Sequence, residues 1–258
     1  MNRRACLLTL LAAGCDRRPR RPEESGPVDP PAITRPPYAA LRARIAAIRD
    51  EHAENHASAT DDVARRAAVA DARKALQGAL AEVLLPAWLG TRWSFHGTAD
   101  EPLATQGIAC GYFVATLLQH VGLALESRRR FAQSTALRIA RSLVPAGVSH
   151  HRVFSVPATT LEQKVRSFGD GVHLIGLDVH VGFVIVEGVD GGAVRFVHAN
   201  YLQPRVVVSE PITASEAIDR SRGAGYHVTS LFGGDRLVRA WLDKSPIPLA
   251  APAGQVPA

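Results

Sequence analysis

Cys110 stands where a glycine-bearing turn meets an apolar stretch that predicts a helix, in residues 106–114 (QGIACGYFV). The free N–H groups and the positive end of a helix favour the thiolate, the nucleophilic form of cysteine. We therefore expect a pKa below the value of about 8.5 that a free cysteine has. Backbone N–H groups at Cys110 and Gly111 would stabilise an oxyanion, and Gln106 would either add a donor or serve as a turn residue.

His180 and His198 are candidate bases, because both fall in segments that predict neighbouring strands of one sheet. A five-residue, glycine-rich hairpin loop at 187–191 would place His180 directly opposite His198 on one face. Asp178 would share that face as a second group able to orient an imidazole. A slip of one residue would put the two histidines on opposite faces, so this register is a sharp prediction.

Other chemistry is not indicated. His150 and His151 predict a loop, and no cysteines or paired carboxylates stand near them at the spacing of zinc ligands. We therefore expect no metal and no cofactor. The net charge of +6 is spread along the chain as arginine, with no basic stripe interleaved with aromatic residues, so nucleic acid is not an expected partner.

Two helices are predicted at 38–56 and 61–85, where apolar residues recur at steps of three and four. Asp61 would cap the second helix and Pro86 would end it. This helical hairpin would support the catalytic region by packing, or alternatively contact a partner or the cell wall. Four strands dense in Val, Ile and Phe follow, which predicts an α+β fold; they are 171–177, 178–187, 193–199 and 205–209.

The amino terminus has the layout of a secretory signal, with two arginines before an apolar run at 5–13. Residues 11–15 (LAAGC) resemble a bacterial lipobox, which implies cleavage before Cys15 and lipid attachment to its sulfur; the alternative is an ordinary signal peptide or a short anchor. The predicted organisation is a signal peptide (1–14), a lipid-anchored Pro/Arg-rich linker (15–37), the hairpin (38–86), a catalytic domain (87–245) and a flexible tail (246–258).

Cysteine usage supports a special role for one thiol. Of the three cysteines, Cys6 would leave with the signal and Cys15 would carry lipid, so Cys110 would have no intramolecular partner. The composition, 47% hydrophobic and 21% charged, is that of a globular protein with a real core.

Four segments carry a resemblance to a known family: 108–114 (IACGYFV), 169–172 (GDGV), 180–185 (HVGFVI) and 196–200 (FVHAN). Their order and strand context resemble the NlpC/P60 cysteine peptidases. The resemblance implies Cys110 as nucleophile, His180 as general base and His198 as the third polar residue that orients the imidazole. It also implies a papain-like fold, with the nucleophile's helix packed on an antiparallel sheet. Trp93 takes the place of a family tyrosine whose hydroxyl would support the oxyanion.

Two departures from the family pattern indicate a divergent branch. Ala109 and Gly111 flank the cysteine where the family has aspartate and serine, and the insertion between helix and sheet is long. The resemblance implies a thiol-dependent hydrolase that cuts an amide bond in peptidoglycan stem peptides. His180 would draw the proton from Cys110 or hold it as an ion pair.

The alternatives are a non-catalytic envelope-binding lipoprotein on the same scaffold and an acyltransferase that shares the thioacyl intermediate. We expect a monomer in the bacterial cell envelope, anchored to the membrane through lipid and facing the periplasm or the exterior, with peptidoglycan or another envelope peptide as substrate.

Overall fold

Helices and antiparallel strands are combined in an α+β architecture. The computed structural model describes residues 36–144, 150–188 and 191–252. Its helices are α1 (Tyr38–Ala57), α2 (Asp62–Gly78), α3 (Leu85–Trp88), α4 (Cys110–His120), α5 (Arg128–Ala132), α6 (Ala136–Leu143), α7 (Ala158–Arg166), α8 (Glu216–Arg220) and α9 (Arg236–Leu242). Its strands are β1 (Ala124–Leu125), β2 (His150–Val153), β3 (Gly171–Gly176), β4 (Val181–Val186), β5 (Val194–Ala199), β6 (Val207–Pro211), β7 (Tyr226–Ser230) and β8 (Pro246–Ile247).

The signal peptide, Cys15 and the linker up to residue 35 lie outside the described residues, so these features remain predictions. No helix in the described part of the chain is both long enough and apolar enough to cross a membrane.

The two predicted N-terminal helices are confirmed as α1 and α2, which pack against each other. Asp61 caps α2 as predicted, because its carboxylate accepts a hydrogen bond from the Ala64 N–H at 2.8 Å. Ile45 of α1 and Leu76 of α2 are buried in the same hydrophobic core as residues of the sheet. The hairpin therefore belongs to the compact unit that begins at Pro36 and does not form a separate domain.

Pro86 does not end the second helix, contrary to the prediction. A π-helical turn at Ala79–Leu84 precedes it, and the Leu85 N–H donates to the carbonyl of Leu80, five residues back. Pro86 then lies in the first turn of α3, where a residue without an N–H loses no helical hydrogen bond. The helical path consequently runs on to Trp88, whose side chain is fully buried.

One antiparallel sheet, with strand order β2-β7-β3-β4-β5-β6, forms the centre of the domain. The four predicted strands are confirmed as β3 to β6, although their ends differ. β2 and β7 are not predicted from the sequence, and the loop expected at His150 is wrong. His150 lies in β2, and its Nδ1 hydrogen-bonds Thr229 Oγ1 at 2.9 Å across the β2–β7 pair.

α4 packs against this sheet through contacts with β4 and β5. The rings of Phe113 on α4 and Phe183 on β4 meet edge to face, with centroids 6.1 Å apart, and both are fully buried. A helix that begins at Cys110 and lies on an antiparallel sheet is therefore present, as the sequence predicts.

The C-terminal segment is anchored further than predicted. β8 pairs with β1 in a two-stranded parallel sheet. Beyond it, the Leu249 N–H donates to Glu126 Oε2 at 3.0 Å, and the Ala250 N–H donates to Ser142 Oγ at 2.8 Å. The flexible tail predicted from residue 246 thus begins no earlier than residue 251, and residues 253–258 lie outside the described part.

A buried polar network joins the hairpin to the helix that begins at Cys110. Trp88 Nε1–H donates to the Tyr38 hydroxyl at 2.7 Å, which in turn lies 2.9 Å from His120 Nδ1. His120 Nε2 lies 3.2 Å from a carboxylate oxygen of Asp100, which also pairs with Arg128 at 2.7 Å. The network links α1, α3 and α4, and it keeps the polar atoms of their buried side chains satisfied.

This network predicts an acid-sensitive stability. Burial, with repulsion from Arg42, lowers the pKa of His120 to about 4 from the ordinary 6.5, although Asp100 acts in the opposite direction. Between these two values the unfolded chain takes up a proton at His120 that the folded protein does not. The free energy of unfolding should therefore fall as the pH falls through this window, by about 3 kcal/mol from this group.

Urea unfolding at pH 7, 5.5 and 4 measures the effect. Wild type should lose more stability across the series than His120→Gln, which cannot titrate, whatever the variant's stability at pH 7. His96→Gln alters an exposed ring and should follow wild type. Equal slopes for wild type and His120→Gln would contradict the prediction.

Candidate active site

Cys110 is the first residue of α4, as predicted. The preceding residue, Ala109, is extended (φ −83°, ψ 157°), and its carbonyl accepts the first helical hydrogen bond from the Phe113 N–H at 2.8 Å. Among the described residues, the N–H groups of Cys110 and Gly111 have no backbone acceptor, as expected for the first turn of a helix. These two N–H groups therefore lie beside the thiol and favour its anion.

Gly111 is required for the position of this helix start. A Cβ at this residue would collide with the carbonyl oxygen of Ala132 at the end of α5, which packs closely on α4. A glycine directly after Cys110 therefore allows two backbones to approach one another.

The register between β4 and β5 differs from the prediction by two residues. Val186 pairs with Val194 and Phe183 pairs with Val197, so Gly182, and not His180, comes opposite His198. The loop is seven residues long instead of five. A shift of two residues keeps every side chain on its predicted face, because side chains alternate with a period of two.

The two histidines consequently meet along a diagonal. His180 Nε2 lies 2.8 Å from His198 Nδ1, and the rings are nearly perpendicular. Gly182 makes this contact possible, since a Cβ there would collide with the Phe196 ring and with His198 Cβ. Phe196, two residues before His198 on the same face, stacks on the His198 ring with centroids 4.0 Å apart.

Glu210 extends the pair into a row of three side chains. Its Oε1 lies 3.1 Å from His198 Nε2, on the side of the ring away from His180. His180 is 4% exposed and His198 is fully buried, whereas the Glu210 side chain is 28% exposed. Two histidines and a carboxylate are common metal ligands. In the described ranges, however, no cluster of three His, Cys, Asp or Glu residues has the arrangement needed to hold a metal ion.

Burial controls the charge of this row. It holds the pKa of His180 well below 6.5, helped by repulsion from His198. Burial likewise lowers the pKa of His198, against the effect of Glu210. For Glu210, burial by itself raises the pKa, but hydrogen bonds with His198 and Ser215 leave it below its ordinary value. At neutral pH the row therefore contains a carboxylate and two neutral imidazoles.

These charges assign the ring protons. The Glu210 carboxylate can only accept, so His198 donates from Nε2. A neutral imidazole has one N–H, which leaves His198 Nδ1 as an acceptor for the Nε2–H of His180. His180 Nδ1 then has no proton and carries a free lone pair. The row thus supplies a base at its far end.

A cleft of about 590 Å³ is lined by both Cys110 and His180. The Val181 N–H, directly after His180 in the chain, lies near the Cys110 sulfur and favours its anion. The start of α4 and the start of β4 therefore meet at the thiol. Among the described residues no hydrogen bond joins the thiol to His180, whose Nε2 is bonded to His198.

The prediction of a lowered thiol pKa is wrong. Burial raises the pKa of Cys110 above its ordinary value, against the smaller opposing effects of the Val181, Gly111 and Cys110 N–H groups. Because the pKa of His180 is lowered at the same time, thiol and imidazole are both neutral in the resting protein. The ion pair considered above is therefore not the resting state.

Three other predicted support residues do not join the row of Glu210, His198 and His180. Gln106 is exposed in the turn before α4 and does not line the cleft, and Trp93 packs beneath the Arg205 guanidinium, 5.7 Å from it. Asp178 borders the cleft but is exposed in the turn between β3 and β4, which is closed by a 2.7 Å hydrogen bond from Leu177 N–H to the His180 carbonyl. Its expected place on the strand face is wrong, since β4 begins after it.

Glu210 is the residue that the sequence prediction missed. The fourth strand is predicted to end at Ser209, whereas β6 runs to Pro211. His198 pairs with Val208, so the face of His198 includes Glu210, two residues further along β6. Extending the predicted strand by one residue would have included Glu210.

The chain matches no protein-family model, no curated protein and no solved structure.

Proposed function

We propose that this protein is a thiol-dependent hydrolase of the bacterial cell envelope that cuts an amide bond in peptidoglycan stem peptides. Its fold would be a divergent form of the papain-like NlpC/P60 fold. One observation carries the proposal: the hydrogen-bonded row Glu210–His198–His180 ends at a residue that lines the same cleft as Cys110, the first residue of α4. A module that only binds ligands has no need of such a row.

The neutral thiol and imidazole favour general-base attack. As the Cys110 sulfur bonds to the amide carbonyl carbon, its proton passes to His180 Nδ1. The resulting imidazolium is stabilised through His198 by the Glu210 carboxylate. The proton then goes to the leaving amine, the C–N bond breaks, and a thioacyl enzyme remains. Water, deprotonated by the same base, hydrolyses it to the carboxylic acid and the free thiol.

The N–H groups of Cys110 and Gly111, which have no backbone acceptor, would bind the oxyanion during both steps. A donor of this kind is worth about 3 kcal/mol of barrier in enzymes where one has been removed. These two groups are the donors expected from the sequence, and neither Gln106 nor Trp93 lines the cleft to add a third.

The envelope as the place of action is supported by the sequence pattern at residues 1–15 and by the motif resemblance. The raised pKa of Cys110 also fits an unpaired thiol outside the cytoplasm, since oxidation proceeds through the thiolate. A membrane tether through Cys15 would keep the protein close to its substrate.

The test is incubation of the full-length protein with purified peptidoglycan and soluble stem peptides, followed by mass spectrometry. Appearance of a new amine and a new carboxylic acid, absent with Cys110→Ala, is the expected result. A new amide formed from an added amine would indicate acyl transfer. Equal binding by wild type and Cys110→Ala without any product would overturn the hydrolase and favour the binding lipoprotein.

Glu210 supplies a further prediction. Glu210→Ala should lower kcat by about 10- to 100-fold, because His198 loses the acceptor that sets its tautomer and the charge that stabilises an imidazolium. Glu210→Gln keeps an acceptor oxygen without the charge, so its loss should be smaller. Glu216→Gln removes an exposed carboxylate paired with Arg220 and is the matched control. Equal kcat in wild type and Glu210→Ala would remove Glu210 from the mechanism.

A further inference from the structure

A cationic wall borders the same cleft. Arg152 on β2 and His227 on β7 are direct partners in the β2–β7 register, and both line the cleft with Cys110. Neither strand belongs to the hairpin that carries the two site histidines. The wall is therefore a separate element brought to the nucleophile by the sheet.

The Arg152 guanidinium is held in place without being neutralised. It lies over the Phe154 ring, 4.0 Å from the ring centroid, which fixes its plane and leaves its N–H edges free. Phe154 can occupy this position because Gly225, another cleft residue, has no Cβ to collide with it. Among the described residues, Arg152 makes no ion pair with an acidic side chain.

The neighbours of His227 add to the positive potential. Burial lowers the pKa of His227, and the charges of Arg152 and Arg141 lower it further. At neutral pH this histidine is thus a neutral hydrogen-bond donor beside two guanidinium groups. Asp178 is the one acidic residue among the described lining of the cleft, and it is exposed in the β3–β4 turn.

We propose that Arg152 and His227 bind a carboxylate group of the substrate, so that the cleft selects peptides with a free carboxylate close to the scissile amide. Arginine is suited to this task, because its planar fork matches the two oxygens of a carboxylate. The assignment of a substrate class rests on the proposed function. The preference of the cleft for a negative charge, by contrast, can be measured at Cys110 without any turnover.

The experiment compares two alkylating agents of nearly equal size, iodoacetate and neutral iodoacetamide, on the full-length protein. Modification is followed by mass spectrometry of the Cys110 peptide, so that Cys6 and Cys15 do not contribute. The iodoacetate-to-iodoacetamide rate ratio at Cys110 should exceed that of a small free thiol in the same buffer by about tenfold, and high salt should reduce it.

Arg152→Gln should bring this ratio close to that of the free thiol, whereas Arg44→Gln, an exposed change on α1, should leave it unchanged. A wild-type ratio equal to that of the free thiol, or a ratio insensitive to Arg152→Gln in a protein with a native near-ultraviolet spectrum, would overturn the carboxylate site.

A second arm separates this inference from the proposed function. Stem peptides and their carboxamide derivatives are compared as substrates, and the carboxamides should show a raised KM with wild type but not with Arg152→Gln. Cleavage without discrimination would overturn the carboxylate site alone. A charge-selective Cys110 in a protein that cleaves no envelope peptide would overturn the hydrolase and leave the carboxylate site standing.

Discussion

Replacing Cys110 by alanine is expected to lower kcat/KM by about 10⁴-fold or more, because the thioacyl route then has no nucleophile. The fold should hardly change. The side chain is small and only partly buried, and its loss leaves the packing of Gly111 against α5 intact. We expect a melting temperature within about 3 °C of wild type, measured by calorimetry alongside the hydrolysis assay.

Cys110→Ser is the companion variant. It keeps an atom that can hydrogen-bond at the start of α4, but a hydroxyl is a weaker nucleophile than a thiol beside the same base. It should therefore fold like wild type and remain strongly impaired. Substantial turnover by Cys110→Ala would exclude the thiol mechanism, and a large loss of stability in both variants would mark Cys110 as a core residue.

His180→Ala is expected to lower kcat/KM by about 10²- to 10⁴-fold, the usual contribution of a positioned general base. Wild-type activity should persist into mildly acidic solution, because burial holds the pKa of His180 well below 6.5 and the ring stays unprotonated there. Activity should decline only as the pH falls through that lowered pKa, when Nδ1 acquires a proton.

His198→Asn should lower kcat/KM less than His180→Ala, because the His198 side chain orients the base and does not itself take the proton from Cys110. His151→Gln, a change to a ring that stacks on Phe168 away from the cleft, is the control. Initial rates from pH 4 to 9 measure all three variants. Activity of His180→Ala equal to wild type, or a wild-type acid limb near pH 6.5 or above, would contradict the assignment of the base.

Local patterns in the sequence were sufficient for much of the fold. Helix periodicity identifies α1 and α2, Asp61 identifies the start of α2, and strand composition identifies β3 to β6. These features depend on residues close together in the chain. The shared face of His180 and His198 was predictable for a related reason: a period of two survives a register error of two residues.

The tertiary structure alone decided the rest. β2 and β7 pair with partners far away in the chain, and the sequence of β2 has no apolar alternation, so no local signal predicts the wall that carries Arg152. The longer loop places Gly182 opposite His198, and the missing Cβ of Gly182 lets His180 reach His198 along the diagonal instead of directly across the strands.

The charge state of the site was decided in the same way. The position of Cys110 at a helix start is visible in the sequence and predicts a lowered pKa, but burial by the surrounding elements outweighs it. Glu210 joins the row only because β6 extends two residues beyond its predicted end. Sequence by itself determined which groups could react; burial and strand pairing, which depend on the whole fold, decided their protons and their partners.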